Sequence, residues 1–321
     1  MIRLDVKDRK IISELDMDAR LPLSKIAKKV GLSREVVHYR IKQLENNGII
    51  EGYYAAIDVS KLGLIYCRIF LKYRQMSQEK EKELMQYCKK SSVINWVTVG
   101  DGKWNIVIVI LVKNIWEIES TYDDLNSKFG KHFQNPYISI AYRILHFKHN
   151  YLYDKIDDKQ LILGEPTKVK IDELDYKLME ILSKDGRMSL QDISKKLEIT
   201  SNLVAYRIKN LIKGKVIIGF RAKINVKPLG YDHYKVLLTL QDFNKQNQNK
   251  LLTYLKSKKR VIYITKSMGQ NDLEFEIIVK KATELHEFMR ELSCKFPSIL
   301  VNYETILYYV QPILKYLPKQ L

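Results

Sequence analysis

The chain has 321 residues, 46% of them hydrophobic and 29% charged, which is long enough for two or more packed domains and too apolar for a disordered chain. Fifty-five Lys and Arg against 37 Asp and Glu leave a net charge of +18, which points to polyanionic partners: nucleic acid first, an anionic membrane face second. The N-terminus MIRLDVKDRK is charged rather than signal-like, and the longest aliphatic run, Ile106–Val112, is far too short to span a bilayer. Three cysteines form neither a C-x-x-C pair nor a zinc-spaced cluster with histidine, so the expectation is a soluble, cytoplasmic protein with no membrane segment, metal or cofactor.

In chain order, Ile11, Ile12 and Leu15 mark a first amphipathic helix. Pro22 opens a second, whose apolar face is Leu23, Ile26, Ala27 and Val30. Gly31 permits a tight turn, Ser33 is an N-cap, and a third helix runs to Asn47-Gly48, which completes a helix-turn-helix pattern. IIEGYYAAIDV then has strand composition, suited to a wing or a connecting hairpin. From there strand and helix signals alternate: strands at Leu64–Tyr73, Val93–Val99, Trp104–Lys113 and Tyr137–Phe147, helices at Gln78–Lys90 and Asn114–Lys128. The order is βαββαβ, the ferredoxin-like arrangement.

The sequence then repeats. Slid by 167 positions it matches itself without a gap, with 22 identities in the 56 positions from Asp8 to Gly63. YRIK at Tyr39–Lys42 returns at Tyr206–Lys209, and the weaker match beyond keeps its register through Gly102 with Gly269 and Tyr142 with Tyr309. Two long repeats are a duplicated, fused protomer rather than a solenoid. The predicted fold is α+β, with two winged-helix or helix-turn-helix domains at 1–60 and 171–227 and two ferredoxin-like effector and dimerisation domains at 61–150 and 228–321. A polar linker with Gly164 and Pro166 is expected at 151–170.

On the third helix Val37, Ile41 and Leu44 share the core side, while Glu35, His38, Tyr39, Lys42 and Asn46 lie opposite, with Arg34 near the start. In the second copy the core positions are the same residues, Val204, Ile208 and Leu211. The outward set has changed to Ser201, Asn202, Ala205, Tyr206, Lys209 and Lys213. Side chains near a recognition-helix N-terminus reach base edges, so these residues, with Ser33 and Thr200, are the candidate DNA-reading set. Lys28-Lys29 and Lys195-Lys196 add phosphate contacts, or form only a solvated helix face. Arg40 and Arg207 lie nearer the core edge, where an ion pair with an early Asp competes with a DNA contact; Tyr39 and Tyr206 stack on the DNA backbone or pack internally.

Asp8, the DAR of Asp18–Arg20, IAKKVGLS and RIKQLENNGII-GY resemble the DNA-binding domain of Lrp/AsnC (feast/famine) transcriptional regulators, and DGR at Asp185–Arg187 is closer still. The resemblance covers both copies. It implies a regulator that binds double-stranded DNA, pairs through its ferredoxin-like domains, forms homo-oligomers and responds to a small molecule such as an amino acid. Family effector loops often run Gly, aromatic, then Asp. Here copy one has Gly102, Trp104 and Asn105, and copy two has Gly269, Asn271 and Asp272, so one lacks the acid and the other the aromatic. Both loops also read as plain β-turns whose glycine serves the backbone.

Two rival readings accompany this one. Siroheme decarboxylases resemble Lrp/AsnC proteins and occur fused, but their proline-containing RP segment and R-x-G-A segment are not seen; EGYYAAID and IGFRAKIN stand instead. The six histidines form no repeat-matched pair, and no nucleophile motif, P-loop or dinucleotide fingerprint occurs, so no catalytic residue is assigned. A non-specific DNA-coating protein would also suit the charge.

Overall fold

The structure is a computed structural model, which describes residues 2–153, 157–165, 167–242 and 244–318. It is α+β and follows the repeat. In copy one, α1 (Val6–Met17), α2 (Leu23–Val30) and α3 (Arg34–Asn46) pack around Ile11, Leu15, Ile26, Val37, Ile41 and Leu44. In copy two, α6 (Glu173–Lys184), α7 (Leu190–Leu197) and α8 (Ser201–Lys213) pack around Leu178, Leu182, Ile193, Val204, Ile208 and Leu211. Capping boxes open α1 (Asp5 with Asp8) and α6 (Asp172 with Asp175), satisfying orphan N–H groups. The same carboxylates hold the third helices: Arg40 donates to Asp5 and Asp8 at 2.7 Å each, and Arg207 pairs with Asp172 and Asp175. Of the two roles open to these arginines, the structure shows the ion pair.

The strands after each helix triplet, β1 (Ile50–Ile57) and β7 (Ile217–Ile224), are neither wing nor local hairpin. They pair antiparallel with each other, making a two-stranded ribbon shared by both copies. Tyr54 lies opposite Arg221, its own counterpart one repeat on, so a local twofold axis passes between them.

Copy one continues through β2 (Ile65–Tyr73), α4 (Gln78–Lys90), β3 (Ile94–Gly102), β4 (Ile106–Val112), α5 (Ile115–Phe129) and β5 (Phe133–Phe147). Copy two continues through β8 (Asp232–Leu240), α9 (Lys245–Lys256), β9 (Val261–Met268), β10 (Leu273–Val279), α10 (Ala282–Lys295) and β11 (Leu300–Leu314). Each βαββαβ unit buries an aliphatic sheet face against its two helices; β4 is buried along its whole length.

The last strand of each unit is 15 residues long and changes partner midway. Residues 133–141 of β5 pair with β2 of the same copy, then 140–146 pair with β9 of the other. β11 does the same, with β8 and then β3. Eight strands therefore close into a ring, β2-β4-β3-β11-β8-β10-β9-β5, which among the described residues leaves no open sheet edge between copies.

The expected linker is partly sheet. Gln160–Leu163 form β6, which pairs with Ile144–Phe147 of β5, and the Asp58 carboxylate accepts from Gly164 N at 3.1 Å, pinning the strand's exit. Residues 154–156 and Pro166 of that segment lie outside the described residues.

Candidate DNA-binding surface

Each candidate reading helix is set by its cap and its underside. Ser33 Oγ accepts from Val36 N, and Thr200 Oγ1 accepts from Leu203 N, both at 3.2 Å. These bonds fix the N-terminal turns, the part of a recognition helix that enters a major groove. With Val37, Ile41 and Leu44 buried on α3, the residues Ser33, Arg34, Glu35, His38, Tyr39 and Lys42 are left exposed, and so are Lys28 and Lys29 on α2. In copy two Thr200, Asn202, Ala205, Tyr206, Lys209 and Lys213 are exposed with Lys195 and Lys196, and Ser201 is half-buried. Tyr39 and Tyr206 remain 63% and 60% exposed, which is outward placement rather than internal packing.

The two surfaces differ in charge. In copy one Lys42 pairs with Glu45 at 2.7 Å, Lys29 pairs with Glu14, and Glu35 adds an anion. The Glu35 carboxyl is held below its usual range by its own backbone N–H and by Ser33. Copy two has Ile181, Ile212 and Asn202 at the positions of Glu14, Glu45 and Glu35. Lys196 and Lys209 are in no ion pair among the described residues.

What holds the two helix triplets at a fixed relation is a set of residues that sequence reading left without a role. Arg20 crosses to the other copy, donating to Gly186 O at 2.9 Å and Met188 O at 3.0 Å, with its guanidinium 5.3 Å from the Phe220 ring centre. Its counterpart Arg187 lies 4.9 Å from the Tyr53 ring centre. The signal was present: these arginines are identical in the two copies and sit outside both the core pattern and the reading set.

One junction is polar and buried. Asp16 at the end of α1 meets Arg221 of β7 at 2.7 Å and accepts from the backbone N of His149 at 2.6 Å. Burial works against the charged carboxyl, but His149 and Arg221 outweigh it and hold Asp16 well below the usual carboxylate range.

The effector-loop candidates lie where each β-turn meets the other copy's long strand. A Cβ on Gly102, whose φ is +123°, would stand 2.3 Å from Thr305 O, so glycine is there for close approach. Trp104 is buried in the ring interior with Phe70 and Tyr137, and Asn105 Oδ1 accepts from Tyr73 N at 3.0 Å. Across the ring Gly269 approaches Tyr137, whose hydroxyl accepts from Asn271 N at 3.1 Å; Asn271 is buried and Asp272 half-buried. Among the described residues no cluster of His, Cys, Asp or Glu could hold a metal ion, and no helix is long and apolar enough to cross a membrane.

Comparisons with known proteins agree with this organisation. Residues 4–45 match the AsnC-type helix-turn-helix domain, and residues 171–218 match a winged helix-turn-helix DNA-binding domain. The HTH-type transcriptional regulator LrpA of Pyrococcus horikoshii is 34% identical over 128 residues, 40% of this chain and 87% of that protein. The proline dehydrogenase transcriptional activator of Rhodobacter capsulatus is 38% identical over 84 residues, 26% of this chain and 53% of that protein. Among solved structures the siroheme decarboxylase NirDL superposes over 96% of this chain and 93% of its own, with a TM-score of 0.65 at 13% identity. That likeness concerns the double-copy fold.

Proposed function

The chain belongs to the Lrp/AsnC family of transcriptional regulators, and from that premise we propose that it binds double-stranded DNA as a pseudo-dimer within one chain, on half-sites of unequal sequence. The observation that carries this reading is the pair α3 and α8: the same buried underside, Val37, Ile41 and Leu44 against Val204, Ile208 and Leu211, supports two different exposed sets. Arg34, Glu35 and His38 against Ser201, Asn202 and Ala205 offer different donors and acceptors to base edges. Lys28, Lys29, Lys42, Lys195, Lys196, Lys209 and Lys213 supply the phosphate contacts, which position the protein without reading sequence. Half-sites about 34 Å apart put both helices on one face of the duplex.

Gel retardation at several salt concentrations tests the reading. Lys42→Ala with Lys209→Ala should weaken binding to every sequence and reduce the salt slope by about two, about one per lost phosphate contact. An unchanged slope removes both lysines from the interface. A coating protein without preference is the alternative that equal affinity for promoter and random duplexes would favour.

The finer parts of the reading follow from it. We take an amino acid to be the modulator, read at Gly102, Trp104 and Asn105 and at Gly269, Asn271 and Asp272, with Asp272 the one carboxylate among these six residues to meet an ammonium group. The protein works in the cytoplasm, and further copies assemble on the fused pair. It is not an enzyme. Support comes from EGYYAAID and IGFRAKIN, which follow the third helices where siroheme decarboxylases have their R-x-G-A segment, and from the lack of their RP segment before the second helix. Siroheme added to the purified protein should keep its absorbance spectrum and yield no decarboxylated product; turnover would reverse this.

A further inference from the structure

Between the β1–β7 ribbon and the strand ring lies a cavity of about 600 Å³, within the range of sites for drug-sized ligands. Two in-register rows of side chains, one from each copy, line it. Arg68, Val109 and Trp96 lie side by side across β2, β4 and β3. Their counterparts one repeat on, Lys235, Glu276 and Tyr263, lie across β8, β10 and β9, and His146 of β5 follows next to Tyr263.

The rows are chemically unlike. The copy-two row carries a carboxylate of its own: Lys235 pairs with Glu276 at 3.3 Å and with the nearby Glu274 at 2.9 Å, and His233 bonds Glu276 at 2.8 Å, while at the end of the row the buried Nδ1 of His146 has no partner among the described residues. In the copy-one row Val109 stands where copy two has Glu276, so the row has no carboxylate of its own. Arg68 reaches Glu274 and Ser139 with its terminal nitrogens, but among the described residues its Nε has no partner, and neither has Trp96 Nε1; both atoms are buried. Buried donors of this kind are ordinarily paired. Burial pushes His146 down to about 3, with the nearby Arg221 adding to the effect, so it presents a neutral ring. The rim holds Lys223, Lys227 and Lys315 against Glu51, a positive approach to a largely apolar and aromatic interior.

We propose that this cavity is a binding site for an aromatic carboxylate, whose ring system lies between the two rows and whose anionic group accepts from Arg68 Nε and Trp96 Nε1. It is separate from the two effector loops, and it does not depend on the DNA-binding reading.

The test uses two fluorescent probes on the full chain: the anion 8-anilinonaphthalene-1-sulfonate and its neutral relative N-phenyl-1-naphthylamine. The anion should bind saturably at one per chain and more tightly than the neutral probe. Trp96→Phe keeps an aromatic ring, smaller than the indole, and removes the N–H donor. It should weaken the anion on the order of tenfold, as loss of a hydrogen bond to a charged group does, and leave the neutral probe within about twofold. Val109→Trp, which fills the space between the rows, should abolish both signals. Equal effects of Trp96→Phe on the two probes, or anion binding that survives in folded Val109→Trp, would overturn the proposal. If Val109→Trp does not fold, the Trp96→Phe comparison decides alone.

Discussion

At the end of α1 a buried carboxylate, Asp16, meets Arg221 and His149; one repeat on, at the end of α6, the same three positions are Ser183, Tyr54 and Tyr316. The tyrosine rings stack in parallel, 3.9 Å between centres. Both junctions seat a helix triplet against the ribbon and the end of a long strand, so one frame tolerates an ionic and an aromatic solution. The two should fail differently. A buried ion pair is all or nothing, because removing one partner strands the other without solvent, whereas stacked rings lose area gradually.

The largest expected effect breaks the ionic junction alone. Asp16→Ala leaves Arg221 buried and unpaired, and should cost about 3–5 kcal/mol in urea unfolding. Ser183→Ala at the matching place should cost no more than about 1 kcal/mol, the worth of a neutral hydrogen bond. Similar costs for the two would mean that the ion pair is not what seats copy one.

Acid sharpens the same contrast. Asp16 and Glu276 both have folded-state values below their unfolded ones, Glu276 pulled down to about 2 by Lys235 and His233 against the opposing cost of burial. Their contribution is therefore whole above the unfolded carboxylate value and is lost as pH falls through the folded one. For Glu276 the loss should run from about 4.5 toward about 2. Asp16→Asn should lower stability at pH 7 and flatten this acid limb; an acid limb as steep as the wild type's would contradict the assignment.

A smaller effect separates the turns. Gly31 and Gly48 take left-handed backbone in copy one, at φ +68° and +65°, while the equivalent Glu198 and Lys215 do so at +55° and +56° with side chains attached. Glu198→Gly and Lys215→Gly should each raise the melting temperature, by an amount corresponding to up to about 1 kcal/mol. The smallest effect distinguishes the reading faces. Lys209→Ala should weaken DNA binding more than Lys42→Ala, because Lys42 is already engaged by Glu45 and would have to give up that surface ion pair to meet a phosphate.

Much of this was legible in the sequence, and for identifiable reasons. Val37, Ile41 and Leu44 recur with helical spacing and return unchanged as Val204, Ile208 and Leu211, so the helices, their inner faces and the duplication read directly. The βαββαβ order followed from local alternation. What did not read was pairing between distant segments. IIEGYYAAIDV has strand composition whichever partner it takes, and its partner lies 167 residues away. The ring depends on β5 and β11 changing partners midway, which no local pattern records. Gln160–Leu163 looked like linker because four residues carry too little periodicity to mark an added strand. Arg20 and Arg187 showed only as identical residues closing the DAR and DGR motifs, without a structural role, until the other copy's aromatic rings were in place.

On the proposed reading, one frame presents two unlike reading helices to DNA. Selection of bound duplexes from a randomised pool tests it most directly. Two different half-sites about one helical turn apart should be enriched, with the sequence preference at one of them altered in His38→Ala and at the other in Asn202→Ala. Recovery of a perfect palindrome, or of no preferred sequence at physiological salt, would contradict it.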